Sequence, residues 1–298
     1  MLDHLVVPPL PVDLTPTLRP FRHGPHDPCV RLADREAWRA TRTPRGPATT
    51  RLEHTDEGIR VRAWGPGAAW AVEAAPALLG FHDDPGGFAP DHPLVARLHR
   101  RMPGLRIGRS AAVVEALVAT VLGQRVTSAQ AHRSHGHLVR RFGEPAPGPA
   151  DLWLPPEPAT LAALPSWEYH RCGVERRRAD TIRHVCSRSG PVDRLAERPA
   201  AEVHEALLSL PGVGPWTASK VVHAALGDPD AVTVGDWNLP GHVAWALAGE
   251  RRADDARMLE LLEPFRGQRA RVARLLQAGH RPPPRRAPGL PAPDLARI

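Results

Sequence analysis

Lysine is almost absent from this chain of 298 residues, because Lys220 is the single lysine among 39 basic side chains. Arginine supplies the remaining positive charge, and the formal net charge is still +7. An excess of positive charge suits a polyanionic partner. Arginine forms bidentate phosphate contacts that lysine cannot form, but we favour a genome-wide coding habit as the explanation of the bias. The charge therefore supports a polyanionic partner without establishing one.

Cysteine is also scarce, since only Cys29, Cys172 and Cys186 are present, an odd number at wide spacings. This pattern indicates neither a disulfide framework nor a zinc or iron–sulfur site.

Long apolar runs are missing too: no segment approaches the roughly 20 residues of a membrane span. The first eight residues have no basic flank and too short an apolar run for a signal peptide. We therefore expect a soluble protein in a reduced, cytoplasmic setting.

The residue pattern changes near residue 90, which predicts an α+β fold. Residues 1–90 are rich in proline and glycine, and the alternation along 59–64 after the turn at 56–58 predicts an antiparallel sheet. Residues 91–280 show helical periodicity instead. We therefore predict a small β-rich domain over 1–90, an all-α core over 91–280, and a Pro/Arg-rich tail over 281–298 that is expected to be disordered.

Two predicted helices meet at a polar tip formed by residues 124–126. The first helix has an apolar face and should end near Gly123; the face is formed by Val114, Leu117, Val118, Val121 and Leu122. The second helix begins after a Thr127–Gln130 capping box and should run to Phe142. The tip should therefore project from the core.

Residues 210–218, Leu-Pro-Gly-Val-Gly-Pro-Trp-Thr-Ala, predict a tight hairpin between two helices. Gly212 and Gly214 permit a close backbone approach, and Pro215 fits the first position of the second helix. Unpaired backbone N–H groups at a helix N-terminus bind phosphate oxygens of a nucleic acid, whatever its base sequence. The motif alone is more often a simple helix–helix turn, but its length and its setting between amphipathic helices favour a phosphate site.

The hairpin is followed, twenty residues after Trp216, by Asp236 in a Val-Gly-Asp segment. This combination resembles the signature of the helix-hairpin-helix base-excision DNA glycosylases. The similarity extends over about residues 13–279 and is strongest with the bacterial 3-methyladenine DNA glycosylase II branch. Three further stretches carry it: residues 115–126, 232–236 and 262–266.

The resemblance implies a helical core of two lobes with the catalytic cleft between them, and double-stranded DNA with a damaged base as the partner. The expected activity is hydrolysis of the N-glycosidic bond of an alkylated, 3-methyladenine-type base after it is flipped out of the duplex. Asp236 would stabilise the oxocarbenium-like state. The alternative for Asp236 is a plain helix N-cap. We expect a monomer.

The resemblance also implies the roles of the residues beside the hairpin. Family members with lyase activity have a lysine where this chain has Trp216, so we expect a monofunctional enzyme. Lys220, one helical turn further on, could reach the sugar, but we interpret it as a surface or phosphate-contacting lysine. Trp216 would form a wall for the flipped base, unless it only packs the hairpin. Gln124 and Trp237 complete the expected base pocket.

Arg125 stands where the family inserts an apolar wedge into the duplex, and it would fill the gap with its planar guanidinium. An ordinary exposed loop arginine is the alternative. Lys220 and Arg274 replace aromatic residues that the family has near the pocket. Two positive charges there disfavour cationic bases, so hypoxanthine, ethenoadenine or a bulkier adduct stay open as substrates. The full set of predicted DNA-contacting residues is Gln124, Arg125, Gly212, Val213, Gly214, Thr217 and Lys220.

We expect no cofactor apart from a monovalent cation on hairpin carbonyls, which the resemblance assigns to Leu208, Leu210 and Val213. Three histidines on one predicted helix, at positions 132, 135 and 137, lack a carboxylate cluster and are interpreted as a solvated face. The competing function is a non-enzymatic DNA-binding module in which Asp236 is only a cap.

Overall fold

The structure, a computed structural model, describes residues 1–284. The predicted tail over 281–298 therefore lies almost entirely outside the described residues. Within residues 1–284, no helix is both long and apolar enough to span a membrane.

A five-stranded antiparallel sheet forms the N-terminal part of the chain, as predicted. Its spatial order is β1-β5-β4-β3-β2, and the strands are β1 (Leu2–Val6), β2 (Val30–Leu32), β3 (Glu36–Thr43), β4 (Gly46–His54) and β5 (Ile59–Trp64). The hairpin expected from the alternating pattern pairs β4 with β5, with Leu52 opposite Val61. Because side chains alternate across a strand, Ile59, Val61 and Ala63 are all buried on one face.

Two helices in this N-terminal part were not predicted: α1 (Leu14–Leu18) and α2 (Ala68–Leu78). Helix α2 packs on β4 and β5 and buries mainly alanines, including Ala71 and Ala75. Small side chains and the internal Pro76 give no strong apolar periodicity, which explains why the helix was missed.

The rest of the described chain is mostly helical, in agreement with the predicted α+β class. The helices are α3 (Pro93–Arg101), α4 (Val113–Leu122), α5 (Ser128–Phe142), α6 (Pro158–Ala163), α7 (Ser166–Arg171), α8 (Arg176–Cys186), α9 (Ser189–Asp193), α10 (Ala200–Leu208), α11 (Pro215–Val221), α12 (Leu239–Ala248), α13 (Asp255–Leu262) and α14 (Arg269–Gly279). Short 3₁₀ helices span Arg19–Phe21, Arg194–Glu197 and Glu263–Phe265, and α11 continues as a π-helical turn, Val222–Leu226.

The predicted helix boundaries around the tip are confirmed. Helix α4 ends at Leu122 with Gly123 as its C-cap, and α5 begins after a complete Thr127–Gln130 capping box. The Pro-rich segment after α5 contains a short antiparallel ribbon, β6 (Glu144–Pro145) with β7 (Trp153–Leu154). This ribbon packs against β3 and α5, so tertiary contacts overrode its proline-rich composition.

The helices form two separate hydrophobic clusters, which position the site described below. The hairpin cluster contains residues of α4, α8, α10 and α11, among them Leu117, Ile182, Leu207 and Val221. The C-terminal cluster contains residues of α3, α12, α13 and α14, such as Val243 and Leu275. The domain boundaries at residues 90 and 280 stay predictions.

Candidate active site

The hairpin joins α10 to α11 and is built around Gly212. This residue has φ +82, and a Cβ added there would lie 2.0 Å from Oγ1 of Thr181 on α8. Only glycine fits such a position. Gly214 is different: its φ is −107, and an added Cβ would meet nothing within 4 Å. The hairpin is therefore pressed against α8 at Gly212 and open at Gly214, where its first amides are accessible to a partner.

The tip at residues 124–126 is tied directly to the hairpin. The Nε2 group of Gln124 donates to the carbonyl oxygen of Gly212 at 3.0 Å and to Oγ1 of Thr217 at 2.9 Å. Arg125 is exposed and has φ +57, a left-handed conformation that is uncommon for a non-glycine residue. The tip and the hairpin are thus joined by hydrogen bonds, with an exposed arginine at the tip.

Asp236 lies in the loop before α12 and receives three hydrogen bonds. Its Oδ1 atom accepts from the backbone N–H groups of Asn238 at 2.9 Å and Leu239 at 3.0 Å. Its Oδ2 atom accepts from Nε1 of Trp216 at 3.1 Å. The carboxylate therefore caps α12 and also contacts the hairpin. A cap alone does not require the bond to Trp216.

Trp216 is the residue at which the three motifs meet. It follows Pro215 in the first turn of α11, and its ring lies against Gly123 at the end of α4, where an added Cβ would be 3.3 Å away. Its Cβ also lies beside Gly235, where an added Cβ would be 3.6 Å away. The structure therefore brings the predicted tip, hairpin and carboxylate to one half-buried indole.

Lys220 is also in this cleft. Its Nζ atom lies 4.9 Å from the centroid of the Trp216 ring, a cation–π contact. The side chain reaches solvent, yet the surrounding protein desolvates it and lowers the pKa of the ammonium group, while the negative charge of Asp236 acts in the opposite direction. Lys220 is thus exposed to solvent and lies over the Trp216 ring, in agreement with a surface position.

Other predicted site residues differ in their exposure. Trp237 is 94% exposed, and its place in the expected base pocket stays a prediction. Val213 and Thr217 are buried, and Oγ1 of Thr217 accepts the hydrogen bond from Gln124. Arg274 donates to the carbonyl oxygen of Pro16, and burial lowers its pKa to about 10.

Two supporting residues were missed by the sequence analysis. Asp255 accepts the backbone N–H of Gly235 at 2.9 Å and so holds the loop that carries Asp236. Arg178 is 1% exposed and donates to the carbonyl oxygen of Leu122 at 2.8 Å, at the C-terminal end of α4. A cation is favourable at that end of a helix. Both contacts are long-range, and no local pattern in the sequence indicates them.

Comparison with known proteins places this geometry in context. No protein-family model matches the chain. The chain is 32% identical over 143 residues to a Mycobacterium tuberculosis protein named "Probable bifunctional transcriptional activator/DNA repair enzyme AlkA", covering 47% of this chain and 28% of that protein. It is 26% identical over 127 residues to Escherichia coli "DNA-3-methyladenine glycosylase 2", covering 42% of this chain and 45% of that protein. The chain thus spans less than half the length of these two relatives.

Similarity at the level of the fold is more extensive. The solved 3-methyladenine DNA glycosylase of Archaeoglobus fulgidus superposes with a TM-score of 0.75 over 93% of this chain and 97% of that one, at 18% identity. The chain therefore has the fold of that glycosylase, and the predicted resemblance to the helix-hairpin-helix DNA glycosylases is confirmed. The predicted similarity to its 3-methyladenine DNA glycosylase II branch is confirmed as well.

Proposed function

We propose that this chain is a monofunctional DNA glycosylase that removes alkylated, 3-methyladenine-type bases in base-excision repair. One observation carries the proposal: three N–H groups hold the Asp236 carboxylate in place. One of them is the indole N–H of Trp216, which begins the helix after a hairpin of the type that binds phosphate. The relatives named for 3-methyladenine DNA support the substrate class.

The chemistry at the sugar follows from the position of Asp236. Cleavage of an N-glycosidic bond builds positive charge on the anomeric carbon and the ring oxygen. A carboxylate held without freedom to rotate stabilises that charge and pays no reorganisation cost during the reaction. The bond electrons leave with the base, and a water molecule supplies the hydroxyl group of the abasic product. An alkylated, cationic base is already a good leaving group, so no separate general acid is required.

The hairpin and the tip would expose the target nucleotide. The first-turn amides of α11 bind a backbone phosphate, while Arg125 enters the duplex and fills the gap left by the flipped nucleotide. Flipping costs roughly a few kcal/mol, less for a damaged base. Because Gln124 links the tip to the hairpin, both contacts act on the duplex together.

The experiment that tests this proposal is base release from alkylated duplex DNA by the purified chain, with strand breaks scored before and after hot alkali. We expect breaks only after alkali, together with free alkylated base in the supernatant. A parallel panel contains duplexes with hypoxanthine and with ethenoadenine. Release from that panel alone would move the substrate class to neutral lesions, and binding without any release would support the non-enzymatic alternative.

The absence of lyase activity is a prediction that this chain tests unusually well. Because Lys220 is the single lysine, it is the single side chain that can form a lysine Schiff base with an abasic site. Its ammonium group is held over Trp216 and attracted by Asp236, so we expect borohydride to trap no protein–DNA complex. The lowered pKa of Lys220 increases the fraction of neutral amine, which is the form that attacks a sugar aldehyde, so the absence of trapping is a demanding expectation. Trapping in the wild type that disappears in Lys220→Gln would show a bifunctional enzyme instead.

We also propose a monovalent cation at the hairpin, bound by the carbonyl oxygens of Leu208, Leu210 and Val213. Leu208 is the last residue of α10. Its carbonyl group is therefore among those that have no partner within the helix and can bind a cation. Such a cation would help the hairpin hold phosphate. We propose further that the enzyme acts as a monomer on chromosomal DNA in the cytoplasm.

A further inference from the structure

A cluster of potential metal ligands lies outside the cleft, between the N-terminal segment and α5. Asp27 and Cys29 precede β2, and His135 lies in the second turn of α5. Their ligand atoms are all within 4.8 Å of one another, and the three residues are 9%, 6% and 9% exposed. The interpretation of the helix histidines as a solvated face is therefore wrong for His135.

The geometry of the cluster points to a ligand and not to packing alone. The Nδ1 atom of His135 is buried and has no hydrogen-bond partner, which is costly for an imidazole nitrogen. The carboxylate of Asp27 holds residues 23–29 in a closed loop, because it accepts hydrogen bonds from the backbone N–H groups of His23 and Cys29. The ligand-bearing loop is thus held in place by its own backbone.

The chemistry of the residues selects the metal. Thiolate, imidazole and carboxylate together are typical ligands of Zn²⁺, with bonds of about 2.0–2.3 Å. Tetrahedral geometry with such bonds places ligand atoms roughly 3.3–3.8 Å apart, so a contraction of about 1 Å closes the site. A divalent cation with one carboxylate and one thiolate also leaves no net charge in a buried position, where an unpaired charge is expensive.

We propose that Asp27, Cys29 and His135 bind one Zn²⁺ ion that fastens the N-terminal segment to α5. The Cys29 thiol loses its proton to water as the sulfur–zinc bond forms. A fourth ligand comes from water or from His23, whose ring centroid is 4.7 Å from that of His135. The site is structural, because its three protein ligands are buried, and it is independent of the proposed glycosylase activity.

The test is the zinc content of the full-length protein after exhaustive dialysis against metal-free buffer. We expect about one zinc per chain in the wild type and loss of at least about nine-tenths of it in Cys29→Ser and His135→Ala. Cys186→Ser is the matched control, because Cys186 is equally buried and lies in the hairpin cluster. Zinc that is absent from the wild type, or retained in Cys29→Ser, would overturn the proposal.

A second measurement needs no variant and so does not depend on whether one folds. Zinc-free wild type is titrated with Co²⁺, and a thiolate-to-cobalt charge-transfer band in the near ultraviolet is expected to saturate at about one equivalent. Added Zn²⁺ should abolish the band. Failure of Co²⁺ and Zn²⁺ to bind at micromolar concentration would overturn the proposal.

Discussion

Replacement of Asp236 by asparagine is expected to lower the rate of base release by roughly 100- to 1000-fold, the usual cost of losing one preorganised electrostatic contact. Asparagine keeps an oxygen for the N–H groups of Asn238 and Leu239, so the cap on α12 survives. Its amide group would then face the indole N–H of Trp216. The measurement is the single-turnover rate on alkylated duplex DNA, alongside duplex affinity, which we expect to change by less than about threefold.

Comparison of Asp236→Asn with Trp216→Phe separates the effect of the carboxylate charge from the effect of its orientation. Trp216→Phe removes the bond from Nε1 but keeps the carboxylate, and should cost roughly 10-fold, in line with one hydrogen bond to a charged group. Asp56→Asn, in the exposed turn between β4 and β5, controls for a change of charge elsewhere and should behave as wild type. A wild-type rate in Asp236→Asn would reduce Asp236 to a helix cap.

Gly212→Ala is expected to lower the free energy of unfolding by about 3 kcal/mol. About 1–2 kcal/mol comes from placing a side chain at positive φ, and the remainder comes from overpacking against Thr181. Because the hairpin must shift to relieve the contact, duplex affinity should also fall by roughly 10-fold. Chemical denaturation and fluorescence anisotropy with duplex DNA measure the two effects.

The neighbouring glycine supplies the control for this prediction. Gly214 has an ordinary φ and open space around its Cα, so Gly214→Ala should cost less than about 1 kcal/mol, the amount associated with a weaker N-cap residue. Adding Thr181→Ala to Gly212→Ala removes the close contact and should restore part of the stability. Equal stability of the two single variants would contradict the tight approach of the hairpin to α8.

Local patterns were sufficient for much of the fold. The alternation before Trp64 predicted the β4–β5 hairpin, and the capping box at Thr127 predicted the start of α5. Helix α2 was missed because its buried residues are small. The β6–β7 ribbon was missed because its short strands are held by β3 and α5, contacts that a sequence window does not contain.

The candidate site was predictable as a set of motifs but not as a geometry. The hairpin and Asp236 were both identified, yet the bond from the Trp216 indole to the carboxylate joins segments that only the tertiary fold brings together. Lys220 is exposed, as expected for a surface lysine, but its position over that indole was not predicted. The adjacency of Trp237 to Asp236 in sequence suggested a pocket residue; its side chain is 94% exposed, and the pocket role stays a prediction.

The Asp236 carboxylate and the surface proposed to bind DNA are built on different hydrophobic clusters. The tip and the hairpin rest on the hairpin cluster, whereas the loop of Asp236 runs between Val232 and Leu239, both in the C-terminal cluster. A cavity in one core is felt locally, because close-packed interiors relax only in part. If the proposed function holds, weakening the C-terminal cluster should lower the rate of base release and leave duplex affinity unchanged. Weakening the hairpin cluster should lower duplex affinity and, through the hydrogen bond from Trp216 to Asp236, the rate as well. The rate of base release can thus change without a change in affinity, but a change in affinity that originates in the hairpin cluster should also alter the rate.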